Sequence, residues 1–295
     1  MKTTKRPMED NNMKKIISML LALAMVFALC ACGSTASAPA ATEAPADGAA
    51  AEAPAADTAA DSDVAYVQGK GTLIVGITDF EPMDYKNDSG EWIGFDADMA
   101  KAFAKSLGVE AEFVEIDWDN KILELNNKSI DCVWNGMTLT PEVLNSMACS
   151  EAYCNNAQVV VVKADVADKY QTADSLSELA FAVEAGSAGE AAVKELGIEP
   201  VAVQSQAAAL MEVKAGTADA CVIDLLMAGA MIGEGTSYPD LTYTVELTSE
   251  EYGVGFRTGS DLAEALNSFF KASYDDGSML DIAKTYGVQE SIIAK

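Results

Sequence analysis

FAVEAGSAGEAAVKELGIEPVAVQSQAAALMEVKAGTADACVID, residues 181–224, is the stretch that decides the fold. Three β-rich runs, at Phe181 to Glu184, Val201 to Val203 and Ala220 to Ile223, alternate with helical segments at Glu190 to Leu196 and Ala207 to Ala215. Strands spaced this way, with a helix between each pair, are βαβ units and predict a parallel or mixed sheet covered by helices. The first strand ends in Ala185-Gly186, and Ser187-Ala188-Gly189-Glu190 then has the spacing of a capping box. A helix start directly after a strand and a glycine also presents N–H groups that can cradle a carboxylate.

The same rhythm precedes this stretch. Leu73 to Ile77, Ala111 to Ile116 and Ile130 to Trp134 read as strands, with helices at about Asp96 to Leu107 and Lys121 to Leu125 between them. Gln158 to Val162 is a buried-looking strand, after which polar residues around Lys163 to Asp174 break the pattern. Downstream come strands at Tyr243 to Leu247 and Tyr252 to Phe256, and helices at about Asp261 to Tyr274 and Met279 to Tyr286. Two α/β units and a tail predict two lobes, with the tail packing on the first.

Ahead of this domain the chain changes character. Ile16 to Leu29 is uncharged, follows Lys14 and Lys15, and is too short to span a membrane, which is the layout of a secretory signal peptide, with Met13 expected as its natural start. Leu29-Cys30-Ala31-Cys32-Gly33-Ser34 is similar to the bacterial lipobox, with Ala31 immediately before the acceptor Cys32. Residues 1–31 are therefore expected to be removed, and Cys32 to carry acyl chains sufficient for stable anchoring at the outer face of the membrane. From there to about Val67 the chain is Ala, Pro, Thr, Ser, Asp and Glu, too poor in bulky apolar residues to offset its ordering entropy, and is expected to be a disordered linker.

Composition excludes several functions. Net charge is −27, and the chain from Cys32 onward, which loses five of the 19 basic and two of the 46 acidic residues, carries −30. Nucleic acid is not an expected partner, since phosphate binding needs clustered Lys and Arg. There is no His, and Arg occurs only at Arg6 and Arg257, so the commonest general base and transition-metal ligand are missing. Of the domain cysteines, Cys149 and Cys154 are the nearest pair in sequence, whereas Cys132 and Cys221 sit in apolar strands as buried thiols; no pair has metal-site spacing. Asp88-Ser89-Gly90-Glu91 is a hairpin turn without calcium-loop spacing, and Gly253-Val254-Gly255 opens no phosphate loop. No metal or cofactor is implied.

Short runs in a fixed order carry a family resemblance: Ile74-Val75-Gly76, Phe80-Glu81-Pro82-Met83, Gly94-Phe95-Asp96-Ala97-Asp98, Ile116-Asp117-Trp118-Asp119 and Ile130-Asp131. They continue through Trp134 to Thr140, Ala185-Gly186-Ser187, Ala218-Asp219-Ala220, Ile223-Asp224 and Tyr252 to Phe256. From Gly71 to its end the chain resembles the amino-acid type, family 3, of bacterial extracytoplasmic solute-binding proteins, the receptors of ABC importers. The resemblance implies a two-lobed, type II periplasmic-binding-protein-like α/β fold that closes on ligand at a hinge of two crossover segments, near Val162 to Ala164 and Thr248 to Tyr252. Lobe 1 would then comprise residues 68–162 and 250–295, and lobe 2 residues 163–249.

The resemblance also implies the site. Phe80 and Trp118 fall where ligand is sandwiched, Asn135, Gly136 and Thr138 on the strand-to-loop segment that binds it, and Ser187 at the helix start. Asp224 matches the acid that takes an α-ammonium, against its reading as a helix N-cap. One departure matters: where relatives carry the Arg that clamps an α-carboxylate, this chain has Val143, and losing such a charge-assisted fork removes about 1.5–3 kcal/mol of recognition. Expected, then, is a non-enzymatic receptor handing an amine-bearing metabolite, foremost an amino acid, to an ABC permease. The alternatives are a receptor for decarboxylated or cationic amines, favoured if Asp79, Glu81 or Asp119 faces the cleft, a same-fold dehydratase of cyclohexadienyl acids, and a surface sensor or adhesin.

Overall fold

A computed structural model describes residues 62–295; the expected signal peptide, Cys32 and most of the expected linker lie outside the described residues. Disorder is expected through Val67, but an ordered helix, α1 (Asp63–Lys70), already occupies that stretch. Its physical basis is local: the Ser62 hydroxyl accepts from Ala65 N–H, Gly71 ends the helix in the left-handed conformation, and Val67 is fully buried. Asp63 also pairs with Arg257 from the far end of the domain. One apolar anchor and one ion pair are features that composition alone does not reveal.

The first unit contains β1 (Thr72–Ile77), the hairpin of β2 (Tyr85–Lys86) and β3 (Trp92–Ile93), α2 (Phe95–Ser106), β4 (Glu110–Glu115), α3 (Lys121–Asn126) and β5 (Cys132–Thr138). After it come α4 (Pro141–Ser146), β6 (Ala148–Cys149) and β7 (Cys154–Lys163). The second unit holds β8 (Phe181–Glu184), α5 (Ala188–Glu195), β9 (Val201–Val203), α6 (Gln206–Ala215), β10 (Ala220–Asp224) and α7 (Leu225–Met231). The chain closes with β11 (Leu241–Phe256), α8 (Leu262–Asp275) and α9 (Ser278–Thr285). This is the two-lobed α/β fold that the alternation predicts.

One continuous sheet runs through both lobes in the order β4-β1-β5-β11-β7-β10-β8-β9. Pairing is parallel within each unit, β1 with β4 and β5, and β8 with β9 and β10; the central pairs involving β7 and β11 are antiparallel. The two strands expected at Tyr243 to Leu247 and Tyr252 to Phe256 form a single 16-residue strand, because β7 supplies a hydrogen-bonding partner along Leu241 to Tyr252 while β5 pairs with Tyr252 to Phe256. Likewise β7 is paired with β10 from Gln158 to Val162, so it has joined the second unit's strands ahead of the crossing expected at Val162 to Ala164. Helices α8 and α9 pack on the first unit through Leu262, Leu266, Phe270, Met279 and Ala283, all fully buried. All four domain cysteines are free thiols, with Cys132 and Cys221 buried in β5 and β10.

Candidate functional site

A cleft of about 180 Å³ opens between the two units, at the carboxyl ends of β5, β8 and β10. In open α/β sheets this is where ligands bind, because strand ends and helix starts leave polar backbone exposed there. Six of the seven expected ligand residues, Trp118, Asn135, Gly136, Thr138, Ser187 and Asp224, line the cleft; Phe80 does not.

Phe80 is 2% exposed and meets Tyr252 edge to face, with ring centroids 6.3 Å apart. Its ring backs Gly136, whose φ is +54° and where an added Cβ would lie 2.4 Å from a Phe80 ring carbon. Only glycine fits there. Phe80 thus shapes the bend of β5 from behind instead of facing the cleft. Asp79 and Glu81 line a separate hollow with Tyr85, Lys86 and Glu115, and Asp119 packs against Gly186, so none of these three acids lines the cleft.

The polar groups on β5 are already engaged. Asn135 Oδ1 accepts from the Thr78 N–H at 3.0 Å and hydroxyl at 2.9 Å, and its amide donates to Asp84 at 2.8 Å, so the side chain is fixed inside the first unit. Gly136 N–H donates to Asp96 at 2.7 Å, and the Tyr153 hydroxyl donates to the same carboxylate. Burial lifts Asp96 to a pKa of about 7 despite these hydrogen bonds. Thr138 donates to Glu250 at 3.0 Å, while Ser187 accepts from Glu190 N–H at 3.0 Å as the cap of α5. Trp118 presents a nearly buried indole, 8% exposed, above Lys121.

Asp224 ends β10 and is almost fully buried. It makes no capping hydrogen bond to α7, contrary to the N-cap reading, because its carboxylate is held on the cleft side by other groups. Oδ1 accepts from Asn156, from Gln158 at 3.0 Å and from the Tyr252 hydroxyl at 2.5 Å; Oδ2 accepts from Gln206. Asn156 and Gln158 also donate to Glu250, at 2.7 and 2.8 Å. Two acids therefore share uncharged amide donors, and burial together with the nearby Glu250 charge raises the Asp224 pKa well above the usual carboxylate range.

Beyond Asp224 three charged residues line the cleft, Glu142, Glu184 and Lys121, and the last two are buried. Glu184 ends β8, is buried, and its Oε1 has no hydrogen-bond partner among the described residues; burial pushes its pKa to about 8. Lys121 is 8% exposed and donates to the carbonyls of Trp118 at 3.2 Å and Gly186 at 3.0 Å. The signal for Glu184 was available: it is an acid at the C-terminal end of an apolar strand, the position that Asp224 shares. Gln158 stood at the head of a run of four valines, equally out of place in a buried strand. Lys121 had no comparable mark, being one polar residue at a helix start.

Known proteins match this architecture. The family model of bacterial extracellular solute-binding proteins, family 3, matches residues 73–289. The arginine-binding extracellular protein ArtP of Bacillus subtilis is 29% identical over 283 residues, 93% of this chain and 98% of that protein. The ABC transporter glutamine-binding protein GlnH of Bacillus subtilis is 31% identical over 286 residues, 93% of this chain and 97% of the relative. Among solved structures, the P235GK mutant of ArgBP from T. maritima has a TM-score of 0.71 at 33% identity, covering 76% of this chain and 98% of that one. AncCDT-1, described as an ancestral amino acid-binding protein and a precursor of cyclohexadienyl dehydratase, has a TM-score of 0.70 at 33% identity, covering 76% and 99%. Sheet order, a cleft at the strand ends and a family match over most of the described domain agree: the chain belongs to the bacterial extracellular solute-binding proteins, family 3.

Proposed function

We propose that this protein is a non-enzymatic extracytoplasmic receptor that captures an amino acid, or a close amine-bearing derivative, and delivers it to an ABC permease. The observation that carries this reading is the charge balance around Asp224. Asp224 and Glu250 accept hydrogen bonds from the same two side-chain amides, Glu184 has an unpartnered oxygen, and no cationic side chain pairs with any of the three among the described residues. Burial disfavours the ionised form of these carboxyls, and a ligand ammonium entering beside Asp224 Oδ2 supplies the counter-charge that restores it. Trp118 then covers the apolar part of the ligand, a contact worth about 0.5–2 kcal/mol. Relatives named for binding arginine and glutamine support the amino-acid class.

The lipobox-like Cys32 assigns the chain to the outer face of a membrane, held by a lipid anchor. Among the described residues no helix is long and apolar enough to cross a membrane. Closure would swing the lobes about the stretch where β7 and β11 run together, Asn155 to Gln158 beside Thr248 to Glu251. Val143, which lines the cleft where relatives carry the Arg, favours a second reading in which the ligand is a decarboxylated amine.

A thermal-shift screen tests the proposal. A compound bound at a hundred times its Kd adds about 2.7 kcal/mol of stability. L-arginine, L-histidine and L-glutamine, with agmatine and histamine as decarboxylated counterparts, are the probes, and at least one is expected to raise the melting temperature. Asp224→Ala should abolish that shift. If sugars or dicarboxylates stabilise the protein and no amine-bearing compound does, the reading fails.

A further inference from the structure

We propose that Lys121 is the anion clamp of this cleft, taking the ligand carboxylate in place of the missing family arginine, so that the ligand is a zwitterionic amino acid and not its decarboxylated amine. This rests on the receptor reading above and chooses between its two ligand classes.

Lys121 is the only basic residue among those lining the cleft, where Glu142, Glu184 and Asp224 are the acids. It is a built feature and not a passing surface side chain, since it is more than nine-tenths buried. Its ammonium has three N–H donors, of which two are engaged by the Trp118 and Gly186 carbonyls. No carboxylate among the described residues forms an ion pair with it. The ammonium also rests against the Trp118 ring, 4.9 Å from its centroid, and is left without an anionic partner in a desolvated setting. Burial lowers its pKa, with Glu142 and Glu184 acting in the opposite sense from a distance.

The placement gives the ligand a direction. The Gly186 carbonyl fixes the Lys121 ammonium at the loop that leads into α5, where Ala188 also lines the cleft. The N–H groups of that first helical turn have no intrahelical acceptor, which adds positive potential on the same side. Asp224 and Glu184 end the neighbouring strands β10 and β8. A zwitterion with its carboxylate toward Lys121 and its ammonium toward those acids meets a cation at one end and, at the other, carboxyls whose ionised form its ammonium stabilises. A plain amine would leave the Lys121 charge buried and uncompensated, a configuration that disfavours binding.

The test compares Lys121→Met, which keeps the side-chain length and apolar stem, and Lys121→Arg, which keeps the charge. Affinities are measured by calorimetry for L-arginine against agmatine and L-histidine against histamine, and melting curves verify folding. Expected for the amino acid that the wild type binds is a loss on the order of 10- to 100-fold in Lys121→Met, the size of a lost charge-assisted hydrogen bond, with recovery of at least part of it in Lys121→Arg. The paired amine should bind Lys121→Met as well as, or better than, the wild type. Equal losses for amino acid and amine would overturn the clamp and leave Lys121 as a contact between lobes. So would a wild type that binds the amines but not the amino acids, an outcome that leaves the receptor reading standing. A wild type that takes only carboxylates without an amine, through Lys121, would uphold the clamp and overturn the ammonium role of Asp224; binding of neither class overturns both.

Discussion

Glu184 shows how one residue at the site couples function to stability. A carboxyl that is neutral in the folded protein up to about pH 8, but ionises near 4.5 once exposed, is protonated in the folded state and not in the unfolded state between those values. Folding then takes up a proton, so this group's contribution is full below about pH 4.5, declines as pH rises, and levels off above about 8. The slope is at most about 1.4 kcal/mol per pH unit. Glu184→Gln keeps the shape without the charge, so its stability relative to wild type should grow steadily from pH 5 to 8 in denaturant melts taken at several pH values. Asp96, raised to about 7, adds a similar slope to both proteins and cancels in the difference. A gap that stays constant with pH would show that Glu184 is ionised in the fold. That such a group existed could be read from its place at the end of an apolar strand; that its oxygen is unpartnered could not, because hydrogen-bond partners come from elements far apart in the chain.

At the scale of elements, the helix starts were legible and the long strands were not. Ser187 caps α5 by accepting from Glu190 N–H, as the spacing Ser187 to Glu190 requires, although the Glu190 carboxylate reaches back to Gly186 N–H and not to Ser187; Ser205, which was not singled out in the sequence, caps α6 through Ala208. These are local interactions, complete within four residues, and so local sequence specifies them. The union of two expected strands into β11, and the early pairing of β7 with β10, depend instead on partners across the sheet that no local window contains. The orientation of Phe80 belongs to the same class: its aromatic character was visible, but Tyr252 and Gly136, which turn it inward, lie over 50 residues away. The two caps also provide a control for one another. Ser187→Ala and Ser205→Ala should each cost about 1 kcal/mol in chemical denaturation, the worth of a lost N-cap. Since Ser187 lines the cleft and Ser205 does not, Ser187→Ala should in addition weaken ligand binding. Equal affinities in the two variants would confine Ser187 to its capping role.

The whole molecule is held in one arrangement by contacts that join the two units across the cleft. Lys121 donates to Gly186, Gln204 donates to Asp117 at 3.1 Å, and the backbone at Gly186 lies so near Asp119 that an added Cβ would come within 2.8 Å of its Cα. Arg257 plays a different part, joining Asp63 and Asp131 within the first unit and fixing α1 to the domain. The close approach at Gly186 therefore identifies a point where closure, not folding, is sensitive to one methyl group. Gly186 has a φ of +70°, so alanine there adds a local strain of about 1–2 kcal/mol to the steric conflict with Asp119. The local strain is paid in every conformation, but the conflict exists only when the lobes meet. Gly186→Ala should accordingly fold with a modestly lower melting temperature, yet lose affinity for the wild-type ligand by at least tenfold. Small-angle scattering at saturating ligand should give it a larger radius of gyration than wild type, and identical radii together with unchanged affinity would mean that the lobes do not need this contact to close. If the lobes pivot along β7 and β11 as proposed, a gap held open at Gly186 keeps the cleft from closing on ligand without unfolding either lobe, which is why the effect should be seen more strongly in binding than in stability.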